Sequence, residues 1–320
     1  MLLKQREISS KQLMLEMIER RLPKSHSKYA YFQEVLNRTQ AGFAGEQRVD
    51  REWCDIFIKH KHYILHDVEL INERGFSHQM DTLFICQYFV LVIEIKNIVG
   101  QVKYMEDNHQ FIRITSDGRV DGFKNPFDQV KRHARFLREL FHENELDIPI
   151  VCLIISANPK MIMTSNLLSK PIIHVSGLAE KIGQLFQRYQ QLCISEKCLK
   201  QVAQQVLERH RPTQWIPDIE LDELRKGVLC PRCDYQHIMR YHFGKWHCET
   251  CRWSDRASIL LALNDYRLIV GNTVSNGEFR GFFGIHSDKA AYYLLKHLKF
   301  EVIGANKNRR YIIPERLLDY

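Results

Sequence analysis

Residues 89–98 constrain this chain's fold more than any other stretch. Phe89, Val90, Leu91, Val92 and Ile93 form an apolar run that continues through Ile95 and Ile98, broken by Glu94 and Lys96. A run so rich in Val and Ile predicts a buried strand. Acids and lysines are rarely buried unless paired or bound to a metal. Side chains alternate along a strand, so Glu94 and Lys96 share a face. The preceding segment, 80–85, is a second strand-like run with Asp81 near its start. Gln87 and Tyr88 lie between the runs, which predicts a hairpin. Antiparallel pairing then brings Asp81 beside Glu94. Two acids and a lysine in one place make either a divalent-metal site suited to phosphodiester hydrolysis or a structural ion pair at a strand end. Spacing leaves both readings open.

The chain has 320 residues, room for two or three domains. Its net charge of +8 is compatible with nucleic acid as a partner, though many inert proteins share it. The N-terminus gains charge before any apolar core develops, so no secretion signal is expected. No stretch approaches the roughly 18 apolar residues of a membrane helix. The nine cysteines are odd in number and irregularly spaced, which argues against a disulfide framework and for a reducing compartment. The expectation is a cytoplasmic protein with no membrane contact.

No internal repeat or low-complexity tract is present. Residues 1–40 are expected to be a polar helical extension. Residues 41–211 read as a small α/β domain: a helix over 42–59, a strand over 63–70, the two strands above, a hairpin over 101–115, and a helix from Asn125 and Pro126 to about 141. Strands over 148–156 and 172–175 follow, then helices over 177–189 and 195–211. Pro212 and Pro217 mark a linker, 212–226, before a cysteine-rich segment, 227–255, and a C-terminal segment, 256–320.

An ordered set of motifs over roughly 40–160 resembles the nuclease-related domain (NERD) family of the PD-(D/E)xK nucleases. The set comprises Ala41, Gly42, Phe43, Ala44, Gly45 and Glu46 opening the first helix; His66, Asp67 and Val68; Gln79, Met80 and Asp81; Ile93 to Asn97 followed by Gly100; and Asn125 to Gln129 opening the second helix. Thr82 stands where the family often has His, and Met80 where Ile is commoner; neither is a metal ligand. The resemblance implies a restriction-endonuclease-like mixed sheet flanked by helices. It implies Mg²⁺ or Mn²⁺ held by Asp81, Glu94 and the Ile95 carbonyl. Lys96 would orient the attacking water or stabilise transition-state charge. Glu46 would complete the metal shell, and Gln129 would bind the water or a phosphate. Outside that resemblance, Glu46 is equally a residue that favours a helix N-terminus, and Gln129 a cap partner. Lys131, Arg132, His133, Arg135 and Arg138 read first as a solvated helix face, with contact to the substrate backbone as the alternative.

Cys230, Cys233, Cys248 and Cys251 are spaced C-x₂-C-x₁₄-C-x₂-C. Four thiolates suit a closed, structural Zn²⁺ site. The segment resembles a zinc ribbon, with strands over 236–239 and 245–247. Asp234 stands where a Gly commonly follows the first knuckle. His237, His242 and His247 are alternative ligands, and redox use of the paired cysteines is a second alternative.

Residues 256–320 read as helices over 257–270 and 276–283, a third helix capped by Ser287, and two short strands over 300–303 and 310–313. This order resembles a winged helix, with Lys289 on the major-groove helix and Lys307, Arg309 and Arg310 reaching phosphates. A small protein-binding domain is the alternative. The sequence thus points to a metal-dependent nuclease acting on nucleic acid, DNA before RNA, with accessory zinc-ribbon and winged-helix-like modules. Against it stand a non-catalytic DNA-binding or regulatory protein and a zinc-held interaction scaffold.

Overall fold

The computed structural model describes residues 1–164, 167, 169–315 and 317. In chain order the first elements are β1 (Leu2–Lys4), α1 (Ser10–Arg21), α2 (Tyr29–Glu52), β2 (His62–Ile71), β3 (Ser77–Cys86), β4 (Val90–Lys96), β5 (Gly100–Met105), β6 (Gln110–Ile114) and β7 (Val120–Phe123). Then come α3 (Pro126–His142), β8 (Ile150–Ser156), β9 (Met161–Met163), β10 (Ile172–His174), α4 (Leu178–Arg188) and α5 (Glu196–Glu208). The last group is β11 (Val228–Leu229), β12 (Ile238–His242), β13 (Lys245–His247), β14 (Ser254–Asp255), α6 (Ser258–Ile269), β15 (Thr273–Val274), α7 (Asn276–Phe283), α8 (Asp288–His297), β16 (Val302–Ile303) and β17 (Arg310–Ile312). These elements fall into two units, one of Met1–Ile8 and Thr39–Gln214, the other of Ser9–Arg38 and Trp215–Tyr320.

The first unit is mixed α/β. Its main sheet has the order β1-β2-β3-β4-β8-β10. β2, β3 and β4 are antiparallel neighbours, while β1 joins β2, and β8 joins β4 and β10, in parallel. The hairpin turns at Gln87 and Tyr88, where the Cys86 N–H donates to the Phe89 carbonyl at 3.1 Å. Alternation along β4 sorts its side chains between two cores. Leu91, Ile93 and Ile95 pack with Val49 of α2 and with Leu178, Ile182 and Leu185 of α4. Val90 and Val92 pack with Leu137 and Phe141 of α3 and with Leu199 and Val202 of α5. Leu83 and Ile85 of β3 belong to that second core, so parity carries Asp81, Glu94 and Lys96 to the α3 side. A smaller sheet, β7-β6-β5-β9, adjoins the start of α3 through a cluster containing Val102, Phe111, Phe127 and Val130.

The expected N-terminal extension, 1–40, is divided between the units. Leu2 and Lys4 pair with Ile64 and Leu65 of β2, so residues 1–8 belong to the α/β unit. Residues 9–38 belong to the second unit. There the side chains of Arg20 and Arg21 each donate to the Asp265 carboxylate of α6 at 2.8 Å. Helix α2 also begins thirteen residues before the expected 42, at Tyr29, and ends at Glu52.

In the second unit, the sheet β11-β12-β13-β14 surrounds the cysteines. Cys230, Cys248, Met239 and Trp246 share one core with Tyr266, Phe279, Phe283 and Leu295 of the helices that follow. The segments 227–255 and 256–320, expected as separate domains, therefore share their apolar packing. Helices α7 and α8 start with serine caps: Ser275 accepts from the Glu278 N–H and Ser287 from the Ala290 N–H. A three-stranded sheet of order β15-β17-β16 completes the unit. Residues 316 and 318–320 of the expected last domain lie outside the described residues. No described helix is long and apolar enough to cross a membrane.

Candidate active site

Asp81 lies where the pairing of β3 lapses on both sides. Toward β2, His66 pairs with Thr82 and Val68 with Met80, but the intervening Asp67 adopts a left-handed φ of 51°. Toward β4, the register ends at Thr82 opposite Ile93. The groups thus released take other partners. The Asp81 carboxylate accepts the Ile95 N–H on Oδ2 at 2.6 Å, and its main-chain carbonyl accepts from Arg6 Nη2 at 2.7 Å. The Lys96 carbonyl accepts the Ala157 N–H on the β8 side. By alternation the Ile95 carbonyl points to the opposite edge, the same as its N–H and Asp81.

Glu94 and Lys96 meet as parity requires, with Lys96 Nζ donating to Glu94 Oε1 at 2.5 Å. The Glu94 side chain is only 3% exposed and that of Lys96 23%. Gln129 Nε2 donates to the other oxygen, Oε2, at 2.8 Å. Gln129 stands in the first turn of α3 because Asn125 caps that helix, accepting the Phe127 N–H at 3.0 Å, and Pro126 begins it.

Helix α2 brings Glu46 to the same place. Its neighbour Gly45 permits the approach, because a Cβ there would lie 2.5 Å from Asn97 Cβ at the end of β4. Asn97 in turn donates to the Ala41 carbonyl at 2.6 Å. Glu46 Oε2 accepts from Arg6 Nη1 at 2.8 Å, and Asp50, one turn further along α2, accepts from Arg6 Nε at 2.7 Å. His66 Nδ1 lies 3.0 Å from Thr82 Oγ1 and 3.2 Å from Asp50 Oδ1.

Burial and the Asp81 charge raise Glu94 to about 8 and Glu46 to about 7. Burial also holds Asp81 above the usual carboxylate range, although Lys96 and the Ile95 N–H oppose it. For Lys96, burial favours the neutral amine, but Glu94 and Asp81 outweigh it and the pKa ends raised. Crowded acids that resist ionisation in one another's company form a site that a divalent cation would relieve.

Sequence reasoning brought together Asp81, Glu94, Lys96, Glu46 and Gln129, and the structure does the same. It missed Arg6 and Asp50. Asp50 had a signal, since it follows Glu46 at helical spacing i, i+4. Arg6 had none, lying in a polar stretch without periodicity. Asp67 and His66 carry a motif of the resemblance to which no role is attached.

The four cysteines form a second site. Cys230 Sγ lies 3.6 Å from Cys251 Sγ, and Cys233 Sγ 3.7 Å from Cys248 Sγ. A tetrahedron with Zn–S bonds of about 2.3 Å has sulfur separations of about 3.8 Å, so the set fits Zn²⁺. Each knuckle turns backbone N–H groups toward its first sulfur, those of Arg232 and Cys233 toward Cys230 and those of Thr250 and Cys251 toward Cys248. Asp234 and Tyr235 supply the first knuckle's turn with left-handed φ values of 48° and 57°, without a Gly. Among the described residues this is the only group of three or more Cys, His, Asp or Glu ligand atoms lying within 4.8 Å of one another. The acids around Asp81 are more open. His237, His242 and His247 are outside the sulfur group; His247 instead bonds the His242 carbonyl and Ser254.

On the C-terminal helices, Lys289 is exposed, as are Lys307 and Arg309 on the loop between β16 and β17. Arg310 differs. Its Nε donates to Thr273 Oγ1 at 2.9 Å and its Nη2 to Glu278 Oε2 at 2.8 Å. That guanidinium fastens β17 to β15 and α7.

The first unit is a mixed α/β domain that gathers three acids and a lysine at one place. The family model of the nuclease-related domain, NERD, matches residues 41–157, so the chain carries a member of that family. No curated protein and no solved structure matches the chain.

Proposed function

We propose that the first unit is a nuclease of restriction-endonuclease-like fold that hydrolyses phosphodiester bonds of nucleic acid, DNA before RNA. The observation that carries this is the lapse of β-pairing at Asp81, which puts its carboxylate on the Ile95 N–H beside the Glu94–Lys96 pair. Asp81, Glu94 and the Ile95 carbonyl offer the hard oxygen ligands that Mg²⁺ or Mn²⁺ prefers. Such an ion, when bound, supplies charge neutralisation on the phosphate oxygens. Lys96 is held by Glu94 on the same strand face, where its ammonium orients the attacking water and meets charge developing on the phosphoryl group. Gln129 fixes the second oxygen of Glu94 and thereby the rotamer of that ligand. Glu46 offers Oε1 to the shell, its Oε2 being occupied by Arg6.

In the second unit, the four thiolates hold a structural Zn²⁺ in a zinc ribbon. The order α6-β15-α7-α8-β16-β17, with β17 between its partners, supports a winged-helix reading. In that reading α8 with Lys289 faces the major groove, and Lys307 and Arg309 reach phosphates. Arg310 holds the base of the wing. Thiolate chemistry of this kind suits the reducing cytoplasm.

The test is purified full-length protein with duplex DNA, single-stranded DNA and RNA, each with Mg²⁺, with Mn²⁺ and with chelator. Cleavage that needs the ion supports the proposal. Tight binding of nucleic acid without cleavage under any condition would transfer the chain to the non-catalytic, regulatory class.

A further inference from the structure

We propose that Arg6 is the resident second cation of the acidic site, so that the site takes one divalent ion rather than two. This inference rests on the nuclease reading. Its basis is the set of partners that Arg6 occupies. The side chain is 3% exposed. Nε and Nη2 grip both oxygens of Asp50, at 2.7 and 3.1 Å. Nη1 holds Glu46 Oε2 at 2.8 Å, and Nη2 holds the Asp81 carbonyl at 2.7 Å and Thr82 Oγ1 at 3.3 Å.

Two-metal sites place their ions about 3.5–4 Å apart and give each its own carboxylates. Here Asp81 and Glu94 serve the first ion. Of the other acids here, Glu46 and Asp50 are bound to the guanidinium, which leaves Glu46 only Oε1 to lend the first ion, and Asp67 accepts from Gln79 Nε2 at 2.7 Å. Glu46 and Asp50 sit at i, i+4 on α2, where like charges repel. A bridging cation therefore belongs to the resting design of the helix. The fork of Arg suits two carboxylates at once, and its charge is permanent. An incoming divalent ion at this position would meet both the positive charge and the loss of these hydrogen bonds.

Arg6 arrives through β1, whose parallel pairing with β2 positions residues 1–8. It lies outside residues 41–157, the part matched by the family. The charge balance of the site thus depends on a strand supplied by the N-terminal segment of this chain.

The experiment is calorimetric titration of zinc-loaded full-length protein with Mn²⁺, using Asp81→Ala as the blank for surface binding. The wild type is expected to take one ion above the blank. Arg6→Gln, which vacates the charge but keeps polarity, is expected to take two. Arg6→Lys, which restores the charge, is expected to return to one. A merely structural role for Arg6 would not produce an extra ion or its removal by Lys. Two ions on the wild type, or one ion of unchanged affinity on Arg6→Gln, would overturn the inference while leaving the nuclease reading intact. No ion on the wild type would overturn both. Should Arg6→Gln fail to fold, the wild-type stoichiometry still decides.

Discussion

The Asp81 carboxylate accepts the Ile95 N–H at 2.6 Å, a side chain standing where a main-chain carbonyl would continue the β3–β4 ladder. The same residue's carbonyl is held by Arg6 at 2.7 Å. Asp81 is therefore pinned at both ends, and its carboxylate is oriented by the sheet before any ligand arrives. Such preorganisation lets a charged group act on a transition state without reorganising during the reaction.

Lys96→Ala is expected to reduce cleavage by at least about 100-fold, the scale for losing one electrostatic donor at a transition state. Folding and ion binding should survive, since the residue lies at the end of β4. Asp81→Ala and Glu94→Ala should also lose Mn²⁺ binding. Rate measurements paired with calorimetry separate the two effects; near wild-type turnover by all three variants would sink the assignment.

The raised carboxyls predict a pH dependence of stability. Glu94 at about 8 and Glu46 at about 7 lie above the unfolded value near 4.3. The native state then binds more protons, so their contribution is fully present below about pH 4.3 and is lost as pH rises through 7 and 8. His62, His66, His78, His133 and His210 are lowered in the native state by burial and act in the opposite direction until the unfolded chain's histidines are neutral too, about one unit above 6.5, which makes pH 7.5–8.5 the informative window. Thermal unfolding of the zinc-loaded protein without added Mg²⁺ or Mn²⁺ should show falling stability there. Glu94→Gln should flatten the slope, and saturating Mn²⁺ should reverse it by replacing protons. A metal-free wild type that gains stability across that window would contradict the argument.

Native mass spectrometry should find one tightly held zinc per chain. Cys230→Ser or Cys251→Ser should release it. Because Cys230 and Cys248 share a core with Tyr266, Phe279 and Leu295, the loss of hydrogen-exchange protection should extend beyond the ribbon into α6, α7 and α8. Protection that is unchanged in the zinc-free variant would refute this coupling.

Asp265→Ala is expected to destabilise the second unit by about 3–5 kcal/mol, the usual consequence of leaving a buried charge without its partner. Arg21 is 1% exposed and would keep the Arg225 and Gly227 carbonyls and the face of Phe282, with no anion beside it from Asp265. Chemical denaturation, followed by Trp fluorescence, measures the change. Since α1 carries Arg20 and Arg21, a fragment of 256–320 should not fold by itself; residues 9–38 have to accompany 215–320.

If Lys289, Lys307 and Arg309 each release a counterion from duplex DNA, their triple alanine variant should lower the salt slope of binding by about 2.7 units. Arg310→Ala should instead loosen the β15–β17 pairing, because its guanidinium bonds Thr273 and Glu278. Binding isotherms at several salt concentrations distinguish them. An unchanged slope in the triple variant would remove the wing from the DNA-binding account.

The sequence by itself determined the elements and the chemistry that local pattern encodes. Period-two alternation over residues 80–96 defined the hairpin and the shared face of Asp81, Glu94 and Lys96. Asn125 and Ser287 announced helix starts, because an N-cap depends on a few consecutive residues. The cysteine spacing marked a candidate metal site, since two knuckles of this length bring four sulfurs together. Tertiary structure alone decided the rest. Arg6 reaches Glu46 and Asp50 only because β1 pairs with a strand some sixty residues away in the chain. Residues 9–38 belong with the four-cysteine unit through ion pairs to Asp265, more than two hundred residues distant. Arg310 looks like a wing cation in sequence, yet Glu278 and Thr273 hold it. A charged side chain has no periodic signature, so which partner it meets depends on how distant segments pack.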